Sequence, residues 1–107
     1  MDQNLLNNLT TELKRGTQIL AVLSQLKQNQ YGYSLLQSLE EKGVVMEAGT
    51  LYPLLRRLES QGLLISQWDT TESRPRKYYI LSLQGEEMLE LLVNAWKAIV
   101  IEMNQLI

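Results

Sequence analysis

The sequence predicts a mostly α-helical fold that carries one small β-hairpin. Three observations predict it. Leucines recur at helical spacing along the chain, most plainly as Leu51, Leu54, Leu55 and Leu58. Two short runs rich in β-branched and aromatic residues, LLISQW (63–68) and RKYYIL (76–81), flank the polar, turn-prone DTTESRP. A last segment, about 83–105, keeps helical periodicity and carries two apolar stripes.

The first helix is expected over 4–14, where Leu5, Leu6, Leu9 and Leu13 share one stripe. Gly16 interrupts it, and Thr17 is a plausible cap for the next. The second helix is expected over 18–28, with Ile19, Val22, Leu23 and Leu26 along one side. The third covers 31–42. Leu35, Leu36 and Leu39 form its apolar face, and Gly43 stands where a C′ glycine is favoured. VVM (44–46) reads as a short extended link into the fourth helix. That helix has two candidate starts. Thr50 as N-cap puts Pro53 in the first turn, where proline is tolerated; Glu47 as N-cap starts it earlier and strains the turn at Pro53. Gly62 ends it, and the hairpin follows. Trp68, at the end of the first strand, reads as core. Ser82 is the expected cap of the last helix.

Residues 1–82 are expected to hold the first helix and the helix–hairpin unit, and 83–107 a C-terminal dimerisation helix, in one compact domain. The last helix has more apolar surface than so small a domain covers. Met88, Leu89, Leu92, Val93, Trp96, Ile99, Val100 and Met103 are therefore expected at a seam between two copies. The alternative is packing against the first helix of the same chain.

The 107 residues include no cysteine and no histidine. That removes disulfides and thiolate metal sites, and argues against histidine catalysis and a zinc or iron centre. No metal or other cofactor is expected. No nucleophile–base pair or phosphate-cradling glycine loop is visible, so an enzyme is not expected. Glu86 and Glu87 sit in a helix start that favours acids. No apolar run is long enough to span a membrane, and Met-Asp-Gln-Asn opens without a signal-peptide pattern. The expected location is cytoplasmic.

The net charge of −2 hides an uneven distribution. Residues 50–78 hold five basic side chains against three acidic ones, whereas 79–107 hold one against four. On a helical wheel Leu54, Leu55 and Leu58 of the fourth helix lie within about 60° of Leu51. Gly49, Tyr52 and Arg56 fall on the far side, and Arg57 lies on a flank.

Helices three and four fit a helix-turn-helix, and the hairpin fits a wing. The layout is that of a winged helix-turn-helix, whose second helix enters the DNA major groove. Gly49 would let backbone approach the duplex, Arg56 matches guanine edges, and Tyr52 suits a base or a phosphate. Arg74, Arg76 and Lys77 would meet the sugar-phosphate backbone or the minor groove. Arg57 is placed for a phosphate. Arg57 and Arg74 read equally well as solvated surface charges.

Four segments carry a family resemblance: LKRGTQILAVLSQL, YGYSLLQSLE, GTLYPLLRRLESQGLL and RPRKYYILSLQGEEML. In order and spacing they resemble the PadR family of bacterial transcriptional regulators over about residues 13–90. The resemblance implies a winged helix-turn-helix, a two-fold dimer built by the C-terminal helix, and repression of transcription. It places Thr50, Tyr52 and Arg56 on the recognition helix, and Arg76 and Lys77 on the wing. Gly32 and Tyr33 match the family's GY segment. Tyr31, just before it, reads as a DNA-backbone contact or as packing within the motif. The wing differs from the family pattern in having ESRPRK without glycines. A single C-terminal helix matches the short-tailed branch.

Double-stranded DNA with a palindromic operator is the expected partner, together with a second copy of the chain. A small aromatic effector is the further candidate, because several family members release DNA to such compounds. Trp96 is its candidate binding residue; packing at the interface is the competing role. The rival function is a winged-helix protein–protein interaction module, which the low net charge favours. It predicts weak, sequence-blind DNA binding that Arg56→Ala leaves unchanged.

Overall fold

The computed structural model describes residues 1–107. The elements run α1 (Gln3–Arg15), α2 (Gln18–Ser24), β1 (Gln30–Tyr31), α3 (Gly32–Glu41), α4 (Ala48–Ser60), β2 (Leu64–Asp69), β3 (Arg76–Leu81) and α5 (Leu83–Leu106). The fold is mostly helical, with a small antiparallel sheet.

The core forms where the leucine faces of α2, α3 and α4 meet the base of the sheet and the start of α5. Leu23, Leu35, Leu51, Leu55 and Leu58 are sealed from solvent there. Complete burial of a leucine is worth about 1.5–3 kcal/mol, so these side chains fix how the helices sit. Both α3 and α4 stop in the same way. Gly43 (φ 85°) and Gly62 (φ 81°) take the left-handed conformation. The next residues donate back into the helix, Val44 to the Leu39 carbonyl at 2.8 Å and Leu63 to that of Leu58 at 3.0 Å. Gly85 allows a close approach: a Cβ there would stand 2.0 Å from the Leu63 carbonyl oxygen.

Several expectations are corrected. The sheet has three strands in the order β1-β3-β2, because Gln30 and Tyr31 pair with Tyr79 and Tyr78. A two-residue strand is too short to leave an alternating pattern. The second helix ends at Ser24 rather than at 28. Gln25 and Leu26 close it with tightened bonds to Val22 and Leu23, which frees the Leu26 carbonyl to accept the Leu81 N–H at 2.9 Å. Thr17 occupies the cap position of α2 without capping it; its hydroxyl donates to the Lys14 carbonyl at 2.7 Å. Trp68 is not core. It is 65% exposed, because it lies beyond the last buried cross-strand pair, Leu64 and Leu81.

Of the two starts for α4, the chain uses Glu47, whose carbonyl accepts from Thr50 and Leu51. Pro53 thus stands within the helix, on its exposed side. The N–H it lacks would have bonded Gly49, an exposed residue that water reaches. Ser82 does cap α5, accepting from the Gly85 N–H at 2.9 Å.

The wing is tied to α4 by one acid. Glu59 accepts from the Ser66 hydroxyl on β2 and, at 3.2 Å, from the Lys77 ammonium on β3. The Ser66 bond is the main reason that its carboxyl lies below the ordinary value of 4.5; burial opposes this, and Lys77 adds to it. For Lys77, burial pulls the ammonium down, but its bonds to Glu59 and Tyr79 outweigh that and leave it above 10.5. Both partners are about a third exposed, at 30% and 32%, so the ion pair contributes on the order of 1 kcal/mol or less.

The sign of its pH dependence follows. A depressed carboxyl contributes stability that is full above 4.5 and is lost as pH falls through the lowered value. Denaturant midpoints of the parent chain and Glu59→Gln, compared from neutral to acid pH, are expected to differ at neutral pH and converge in acid. Curves that stay parallel would mean that the charge of Glu59 is not what matters.

Candidate nucleic-acid interface

The face of α4 opposite its leucines is uncovered. Gly49, Thr50, Tyr52, Arg56 and Arg57 are all exposed. A Cβ on Gly49 would meet nothing within 4 Å, so packing within the chain gives no reason for a glycine there. Tyr52 is more constrained. Its ring rests on Gly32 at the start of α3, where a Cβ would lie 2.1 Å from the ring. The contact locks α3 to α4 and orients the phenol, which remains 39% exposed.

The wing residues divide by sheet face. Register sets Trp68 opposite Lys77, and Ser66 opposite Tyr79. Those four side chains therefore share the face turned to α4. The other face holds Tyr31 and Tyr78, edge to face at 5.4 Å between centroids. The Arg76 guanidinium lies 4.6 Å from the centre of the Tyr31 ring. Tyr31 thus has a packing role, while its half-buried ring still borders the cleft described next. Lys77 is held by Glu59 and lies 5.2 Å from the centre of the Tyr79 ring. Arg74 is exposed in the wing loop. There, Asp69 stabilises the turn by accepting from the Thr71 hydroxyl at 2.7 Å and from its N–H at 3.0 Å.

Between α4 and the wing lies an open cleft of about 720 Å³. Arg56, Arg74, Arg76 and Lys77 line it, interleaved with tyrosines, Trp68 and Pro75, and no acidic side chain does. Six of the nine residues read from the sequence as DNA contacts meet there: Tyr31, Tyr52, Arg56, Arg74, Arg76 and Lys77. Gly49, Thr50 and Arg57 lie outside its lining, on the exposed surface of α4. Sequence reasoning missed the brace residue Glu59 and the place of Trp68. Strand alternation puts Trp68 on the inner face, and its closeness to the wing turn is the signal that the core does not extend so far.

The second surface is apolar. Helix α1 buries no residue, and Leu5, Leu6, Leu9 and Leu13 are 45–79% exposed. On α5, the expected seam is corrected at Leu89, which is buried in this chain's own core. Met88, Leu92 and Val93 pack partly against that core. Trp96, Ile99, Val100 and Met103 remain exposed, as do Leu91 and Ile101. A groove of about 680 Å³ runs between the end of α1, α2 and α5, with Leu13, Ile19, Trp96 and Met103 along it. No helix is long and apolar enough to cross a membrane.

Known proteins resemble this architecture along most of the chain. The family model described as "Transcriptional regulator PadR-like family" matches residues 19–91. Transcriptional regulator Rv3488 of Mycobacterium tuberculosis is 35% identical over 79 residues, covering 73% of this chain and 74% of that protein. The crystal structure of a PadR family transcriptional regulator from Eggerthella lenta superposes with a TM-score of 0.92 at 45% identity, over 96% of this chain and 92% of that one. A PadR-like transcription factor from Bacteroides fragilis gives 0.77 at 33% identity, over 94% and 99%. The family is one of transcriptional regulators rather than enzymes, and this chain, with its winged helix-turn-helix, belongs to it.

Proposed function

We propose that this regulator is a dimeric, sequence-specific DNA-binding repressor that acts in the cytoplasm. The observation that carries the proposal is the acid-free cationic cleft beside the uncovered face of α4. In this reading α4 enters the major groove. Arg56 reads a guanine edge, and the exposed phenol of Tyr52 reaches a base or phosphate. The bare Gly49 and the small Thr50 let the helix approach closely. Arg57, Arg74, Arg76 and Tyr31 serve the backbone, and Lys77 does so from its place beside Glu59. Lys77 already pairs with that acid, so its contribution is smaller than that of a free lysine. The dimer occupies promoter DNA and so blocks transcription, as the family resemblance implies.

The bare leucines of α1 and the exposed end of α5 support a second copy as the cover for both. A helix without a buried residue in its own chain has every reason to pack on a partner. A two-fold arrangement would present two α4 helices to half-sites about 34–36 Å apart on a palindromic operator. Trp96, 43% exposed on the apolar groove, is an interface residue in this dimer. It is also the candidate wall of a site for a flat aromatic effector. Such a compound releases DNA only if it binds the two dimer arrangements unequally.

Four outcomes are expected. Arg56→Ala costs about 1–3 kcal/mol on the operator and relaxes its specificity. Gly49→Leu keeps the melting temperature yet weakens the same binding. Both are read by titrating labelled duplex from upstream of the chain's own gene, with scrambled duplex beside it. If parent and Arg56→Ala bind both duplexes equally weakly, the DNA captured genome-wide decides. Capture of specific sites elsewhere means another operator; none means a protein-interaction module. In sedimentation, the parent chain runs as a dimer and Leu9→Glu/Leu13→Glu as a folded monomer; a monomeric parent would sink the dimer. Flat aromatic compounds added to the DNA complex are expected to release the duplex, and Trp96→Ala to abolish that release. No release across a broad panel would leave Trp96 an interface residue alone.

A further inference from the structure

Trp68 takes no part in the hydrophobic core. It is 65% exposed, although it stands on the inner face of the sheet. Its neighbours on that face, Ser66 and Lys77, both bond Glu59 of α4. The indole is therefore held on the side of the wing turned toward the recognition helix, at the rung of Lys77. It lines the cleft together with Arg56 and Arg74. The apolar groove beside α5 shares no lining residue with this cleft, so a partner seated on α1 and α5 does not account for the exposed ring.

An indole offers a flat apolar surface and one N–H donor, with no acceptor. A deoxyribose next to a phosphate offers the complement, a patch of C–H groups beside anionic oxygens. The four cations and missing acids of the cleft select a polyanion over a neutral or basic partner. A DNA strand that passes from a major groove filled by α4 to a minor groove met by the wing would run through this cleft.

We infer that Trp68 is a DNA-backbone contact: its ring packs on a deoxyribose and its Nε1–H donates to the adjoining phosphate. The inference rests on the proposal that α4 and the wing bind DNA. It assigns an affinity role without sequence preference, since sugar and phosphate are the same at every base pair. It also assigns a signature. Trp68 carries no charge, so its loss releases no fewer counterions, whereas loss of an arginine does.

The test uses random-sequence duplex, which needs no knowledge of the operator, across a salt series. Parent, Trp68→Ala, Trp68→Phe and Arg74→Ala are compared, with melting curves as a check on folding. Trp68→Ala is expected to bind about tenfold more weakly with the parent's salt slope. Trp68→Phe, which keeps a ring and loses the donor, should fall between. Arg74→Ala, which removes a backbone cation, should weaken binding and flatten the slope. If Trp68→Ala binds like the parent while Arg74→Ala is impaired, the inference falls and the DNA reading stands. A flattened slope in Trp68→Ala also overturns it, because the change would then act by displacing cations. If the parent binds no duplex at low salt, both fall together.

Discussion

Sealing four leucines on one side of α4 determines what its other side can do. Leu51, Leu55 and Leu58 have no exposed surface, and Leu54 has little. With those positions committed, helical geometry leaves Gly49, Tyr52 and Arg56 nowhere to go but outward. The helix cannot rotate without dragging leucine into water, at a cost of about 1.5–3 kcal/mol per side chain. Its start and stop follow from the same anchoring. The chain accepts a proline inside the helix on the wet side and spends a left-handed glycine to turn at once into β2. The wing takes its angle from the same core, through Leu64, Tyr79 and Leu81. Burial thus supplies the orientation of both, and Glu59 adds a polar brace.

Much of this was legible in the sequence. Long periodic segments announced α1, α3 and α5 within one or two residues, because amphipathic periodicity reports burial directly; α4 was announced with two candidate starts. Ser82 and the glycines after α3 and α4 were readable because caps and left-handed turns are local chemistry. The misses share a cause: they depend on residues distant in sequence. The strand at Gln30–Tyr31 exists only because β3 stands beside it. Past the early end of helix α2, the Leu26 carbonyl finds its partner in the distant Leu81 N–H. Trp68 read as core because side-chain type says nothing about where a core ends.

The candidate site shows the same division. Its composition was legible: basic residues crowd residues 50–78 of an otherwise acidic chain. Its organisation was not. Only the folded chain reveals that Lys77 shares its charge with Glu59 and that Arg76 stacks on Tyr31, so that two cations next to each other in sequence point to opposite faces of one sheet. Likewise Leu89, which periodicity grouped with the exposed residues of α5, belongs to the core of its own chain.

Helix α1 contributes nothing to the core. Thirteen residues without a buried side chain lie at the margin of helix stability in water. Its Asp2 cap and basic last turn help by fractions of a kcal/mol, not by the amount that tertiary packing provides. Its order is then borrowed from whatever covers its leucines, and in an unaccompanied chain it frays before anything else. A freshly synthesised or diluted chain would thus display a sticky, cleavable N-terminal segment that quality-control proteases can grip. The proposed dimer would hide that segment. The same leucines that wait for a cover would serve as a lifetime tag, sparing chains that have found one and exposing those that have not.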